Sequence, residues 1–184
     1  MTARVLIAGV GNIFLGDDGF GVEVARRLAT ADLPDWARVV DYGIRGMHLA
    51  YDLANGYDSA IVIDATARGG EPGTIYVIEP DIDSSETVGR EPELAANPLF
   101  NPHGMQPDVV FGMLGMLDAG SRQVVVVGCE PASVDYGIGL SEPVTAAVDD
   151  AVRIVLDIIA SADESGADHR LVTKEWAHVP RDSR

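Results

Sequence analysis

Residues 4–21 read RVLIAGVGNIFLGDDGFG, an apolar run that breaks at a glycine-rich turn and resumes with helical spacing. Val5, Leu6, Ile7 and Ala8 follow Arg4 without a polar interruption, as in a strand covered on both faces, so the first strand is predicted from Arg4 to Ala8. Beyond the turn, Phe20, Val24 and Leu28 recur on one helical face with Ala25 beside them. The alternation continues along the chain. Strands are predicted from Arg38 to Tyr42, Ala60 to Asp64, Gly73 to Glu79 and Val124 to Val127. A helix is predicted from Met47 to Asn55, with Gly56 as its C-cap glycine, and another on the apolar face made by Val109, Val110, Met113, Leu114 and Leu117. The last runs from Pro143 to about Ala162, with Ser141 available as N-cap. Strands alternating with crossover helices give an α/β fold: a single three-layer αβα domain with a mostly parallel twisted sheet.

Length and composition bound this further. A chain of 184 residues with 47% hydrophobic content can bury one sizeable core, so residues 1–162 are read as one domain and 163–184, where the pattern fails, as a poorly ordered tail. The stretch from Pro80 to Pro102 is acidic, proline-containing and aperiodic; it reads either as a substrate-contacting flap or as a tolerated insertion. The first residues lack the pattern of a secretory signal, no stretch approaches the roughly 20 apolar residues of a membrane span, and the lone cysteine, Cys129, suits a reducing compartment. A cytoplasmic protein is expected, with no membrane and, at net charge −16, no nucleic acid as partner. The same charge is compatible with plain solubility or with steering a cation or a basic segment towards a cleft.

In open α/β sheets, functional groups gather outside the carboxyl ends of the strands. There the chain places Asn12, Asp17 and Asp18 after the first strand, Asp41 at the end of the second and Asp64 at the end of the third, while the later loop supplies His103. Aspartates and one histidine from separate strand ends can converge on one cation. Each also has an ordinary structural role open to it. Asp17 or Asp18 could cap the following helix, Asp41 and Asp64 could accept loop amides, and His103 could be a plain loop residue. What favours a site is the convergence, because several carboxylates on one edge repel one another unless a proton or cation is shared.

Competing motifs fit less well. Gly9 and Gly11 match the start of a dinucleotide fingerprint, but Phe14 stands at its third glycine, and Asp17 and Asp18 would face the pyrophosphate. There is no G-x-S-x-G elbow and no H-E-x-x-H helix. Cys129, with His103 as its base, is disfavoured as a nucleophile because it ends a strongly apolar strand.

Six segments in this order resemble one family: GVGNIFLGDDGFG at 9–21, VDYGIRGMHL at 40–49, VIDA at 62–65, PGTIYVIE at 72–79, NPHGM at 101–105 and VVGCEPASVDYGIGLSEPV at 126–144. They resemble the endopeptidases that remove the C-terminal extension of the nickel-iron hydrogenase large subunit after nickel is installed. The resemblance implies a phosphorylase/hydrolase-like αβα fold, a monomer, and a large-subunit precursor as partner. It also implies that Asp18, Asp64 and His103 hold the three metal-contacting positions, the metal being nickel supplied by the precursor, with Asp18 and Asp64 serving catalysis as well. Asp41 falls at a position the family uses near the cleavage point, which makes it a candidate general base, although Tyr42, Ile44 and Arg45 depart from the frequent Asp-Gly-Gly. A different class uses the same residues: a non-hydrolytic chaperone that binds nickel or the precursor during assembly.

Overall fold

The computed structural model describes residues 4–79, 123–166 and 169–173. Among these residues five strands form one sheet: β1 (Val5–Val10), β2 (Ala37–Gly43), β3 (Ser59–Ala65), β4 (Ile75–Ile78) and β5 (Gln123–Cys129), in the order β2-β1-β3-β5-β4. The first four in that order are parallel, and only β4 runs antiparallel, against β5. All six residues of β1 are buried. That burial explains its unbroken apolar run, since both faces of a central parallel strand are covered.

The period-2 alternation of side chains divides the core in two. Val5 and Ile7 of β1, Ile61 and Ile63 of β3, and Val125 and Val127 of β5 pack on one side against Phe20, Val24 and Leu28 of α1 (Phe20–Leu28) and Val148, Val155 and Ile158 of α3 (Glu142–Glu164). Leu6, Ala8 and Val10, with Ala60, Val62 and Val124, face the other way and meet Leu49 and Leu53 of α2 (Gly46–Gly56), together with Tyr42 and Tyr57. This is the three-layer αβα arrangement read from the sequence; among the described residues, two helices cover one face and one covers the other.

Several local expectations change. Gly56 is the last residue of α2 rather than its left-handed cap, and the extended Tyr57 ends the helix. Gly73, at φ +85°, turns the chain ahead of β4, so that strand begins at Ile75. Ser141 does sit at the N-cap of α3, but its hydroxyl caps nothing and bonds Asp17 instead. Within the segment read as a poorly ordered tail, the described residues extend the order seen before it: α3 continues to Glu164, Leu171 is buried, and its backbone exchanges two hydrogen bonds with the Gln123 side chain. The 80–102 loop, the helix expected on 109–117 and His103 lie outside the described residues.

Candidate active site

The connection from β1 through α1 leads to β2 on one side, and α2 then returns the chain to β3 on the other side of β1. The strand order therefore reverses between β1 and β3, which is where an open parallel sheet leaves a crevice at its carboxyl edge. Asp18 follows β1 and Asp64 lies near the end of β3, so both border that crevice.

Gly11 brings them together. It sits at φ +130°, a conformation L side chains rarely adopt, and its N–H donates to the Gly43 carbonyl at 3.0 Å. Asn12 then makes a tight turn by accepting the Phe14 N–H on Oδ1 at 3.0 Å, while its own N–H donates to Asp18 Oδ2 at 2.7 Å. The chain folds back through a 3₁₀ turn at Gly16–Gly19. A Cβ on Gly11 would lie 1.8 Å from the Asp18 carbonyl oxygen and 3.7 Å from Asp64 Oδ1, so the two aspartates meet over a bare Cα.

Asp64 is 2% exposed, and among the described residues its Oδ1 has no hydrogen-bond partner. Burial raises its carboxyl well above the ordinary carboxylate range, the charge of Asp18 raises it further, and the Ala65 N–H only partly opposes them. Such a group holds a proton or shares a cation.

Asp17 has a different task. It is 1% exposed and accepts the N–H groups of Ala132 (2.7 Å), Ser133 (3.1 Å) and Ser141 (2.6 Å) and the Ser141 hydroxyl (2.9 Å). Capping is not the role of either neighbour, because α1 starts from Gly19 and the 3₁₀ turn from Leu15, neither with a side-chain cap. Asp41, at the end of β2, pairs instead with Arg26 of α1 at 3.8 Å. Thus the structure joins Asp18 to Asp64 and places Asp41 one strand beyond β1. Among the described residues no group of three or more His, Cys, Asp or Glu could hold a metal ion.

Sequence reasoning missed Glu130. It follows β5 at the same edge, is buried, and accepts the N–H groups of Arg68 (2.8 Å) and Gly69 (3.1 Å) and the Tyr76 hydroxyl (2.8 Å). Burial pushes its carboxyl up, but these bonds, with one from Gly70, outweigh burial and hold it below its usual value. Its position after a strand end was the available signal. Cys129 is fully buried, with its thiol 3.7 Å from the Glu130 carbonyl, in keeping with a packing role. Gly9 lies within β1, where a Cβ would meet the Gly21 carbonyl at 2.3 Å, so it permits α1 to approach the sheet.

The hydrogenase maturation protease family model matches residues 22–158. A putative hydrogenase maturation protease of Methanocaldococcus jannaschii is 36% identical over 156 residues, covering 83% of this chain and 94% of that protein. The hydrogenase 2 maturation protease of Escherichia coli is 32% identical over 167 residues, 90% of this chain and 94% of its own length. Among solved structures, the hydrogenase 2 maturation peptidase of a Thaumarchaeota archaeon superposes with a TM-score of 0.63 at 31% identity, over 85% of this chain and 98% of the other. The hydrogenase maturating endopeptidase of E. coli gives 0.61 at 29%, over 89% and 94%. With a five-stranded sheet of the same fold, carboxylates at its switch point and relatives matched over most of their length, the chain belongs to the hydrogenase maturation protease family.

Proposed function

We propose that this protein is the endopeptidase that removes the C-terminal extension of a nickel-iron hydrogenase large-subunit precursor once nickel is in place. The observation that carries the reading is Asp64: a buried carboxylate whose Oδ1 has no partner among the described residues, beside the acidic Asp18. Such a pair suits a cation that arrives with the substrate. Two carboxylates with the imidazole of His103 form a hard, weak set compared with thiolates, fit to touch a metal held elsewhere and release it.

In this reading the nickel is part of the substrate and supplies Lewis acidity near the scissile carbonyl. Asp18 and Asp64 hold the precursor in register, their positions fixed by Gly11 and the Asn12 turn. Asp41 orients or deprotonates the attacking water, and Arg26, 3.8 Å away, holds its side chain in place until substrate enters. The protein acts in the cytoplasm, as the sequence composition leads us to expect, and as a monomer, as the resemblance implies.

Mass spectrometry of nickel-loaded precursor incubated with the protein tests this directly. Wild type releases the tail peptide. Asp64→Asn slows release by at least about 100-fold, since even partners one step removed from a metal are worth about 10- to 100-fold. Normal trimming by Asp64→Asn would remove the carboxylate pair from the mechanism, and capture without any released peptide would make the protein an assembly chaperone.

A further inference from the structure

In a chain of net charge −16, residues 9–16 and 136–141 carry no charged side chain. The structure joins these two stretches. Gly16 N–H donates to the Gly137 carbonyl at 2.9 Å, Gly137 N–H donates to the Phe14 carbonyl at 3.0 Å, and Leu15 and Gly137 form a β-bridge. From the joined loops Phe14 stands 59% exposed and Ile138 83% exposed, with Val134 and the 86% exposed Tyr136 alongside.

Apolar side chains on a pliable loop can collapse onto the surface; these are prevented from doing so. The 132–141 segment is pinned by the buried Asp17 carboxylate through Ala132, Ser133 and Ser141. Asp17 N–H adds a further tie by donating to the Ser133 carbonyl at 3.1 Å. A preorganised apolar platform, with the exposed Asp135 as the one charged residue between its side chains at 134 and 136, is a docking surface in form.

We infer that this platform is where the hydrogenase large-subunit precursor docks, with Asp17 keeping it in register with Asp18 and Asp64. The inference rests on the proposed precursor substrate. Two features favour that occupant over a second copy of this chain. First, the platform is continuous with the carboxylate pair: Phe14 precedes Asp18 by four residues, and the buried Asp17 beside Asp18 anchors the opposite loop. A protein seated there is thereby aligned on the pair. Second, a second copy brings its own −16 charge, whereas a partner presenting a cation amid apolar surface complements an apolar platform that carries Asp135 and has the carboxylate pair behind it.

The test is the full-length double variant Phe14→Ser/Ile138→Ser, both positions being exposed enough to leave the fold intact. Binding of nickel-loaded precursor is measured by biolayer interferometry, cleavage at saturating precursor by single-turnover mass spectrometry, and mass by sedimentation. The expected result is a Kd raised about 10-fold or more, a saturated cleavage rate within about twofold of wild type, and a monomeric wild type. Unchanged precursor affinity overturns the inference, as does a wild-type dimer that the double variant dissociates. A wild type that captures precursor without cutting it, and a double variant that loses capture, would support the platform while overturning the peptidase reading.

Discussion

Asp64 is a carboxyl group that the fold alone does not want. It is removed from water, one oxygen lacks a donor among the described residues, and Asp18 faces it with like charge. Its folded pKa is raised above the unfolded value, so the folded state binds the proton more readily. The stabilising term is therefore fully present below the unfolded pKa and is lost as pH rises through the folded one. Asp64→Asn, which cannot ionise, should be more stable than wild type at neutral pH and above, by on the order of 1–3 kcal/mol, and should flatten the decline. Urea midpoints of the metal-free proteins across about pH 5 to 9 check this; a variant less stable at about pH 8 would show that the carboxylate is structural. Asp18 and Asp64 were legible because the strand-end rule needs only local pattern. The role of Asp17 was not, because its partners lie 115 to 124 residues away and local reading offers only a cap. Glu130 was hidden in the same way, its partners lying 54 to 62 residues back.

The elements that present these residues depend on how closely α1 lies against the sheet. A Cβ on Gly21 would lie 2.1 Å from the Ile63 carbonyl and 2.4 Å from that of Val10, with backbone on both sides and nothing flexible to yield. Gly21→Ala must push α1 away from β1 and β3, and it should cost about 3 kcal/mol, at the upper end of overpacking penalties. Gly56→Ala is the contrast. No atom lies within 4 Å of its added methyl, its φ is not positive, and it ends α2, so the change should be neutral or stabilise by up to about 1 kcal/mol. Guanidinium unfolding of the two variants side by side separates the effects, and equal stabilities would mean that α1 has room to shift. Strand and helix order was readable because buried parallel strands are written as apolar runs. The antiparallel direction of β4 was not, since its alternation is the same whichever way it pairs. The role of Gly9 was hidden for a related reason: a glycine in a sequence marks both bends and close approaches, and only the position of α1 tells them apart.

At the scale of the whole molecule the charge imbalance becomes the deciding quantity. Among the described residues the ion pairs are exposed, joining Arg26 to Asp41, Arg27 to Glu23 and Asp149, and Arg153 to Asp150. Each such pair is worth roughly 0–1 kcal/mol. Against them stands an excess of 16 negative charges on a domain expected to have a radius of gyration of roughly 16 Å. At about 0.01 M salt the Debye length, about 30 Å, exceeds that radius, so every carboxylate acts on every other; at about 0.15 M it falls to about 8 Å, and only neighbours interact. Screening therefore removes more repulsion than attraction. The thermal midpoint in sodium chloride should rise between those two concentrations, by about 2–4 °C for each kcal/mol of repulsion relieved. Monovalent salt is required, because a divalent cation could stabilise through Asp18 and Asp64 instead. A midpoint that falls with salt would show that the four ion pairs outweigh the net charge, and that the acidic surface is locally compensated rather than self-repelling.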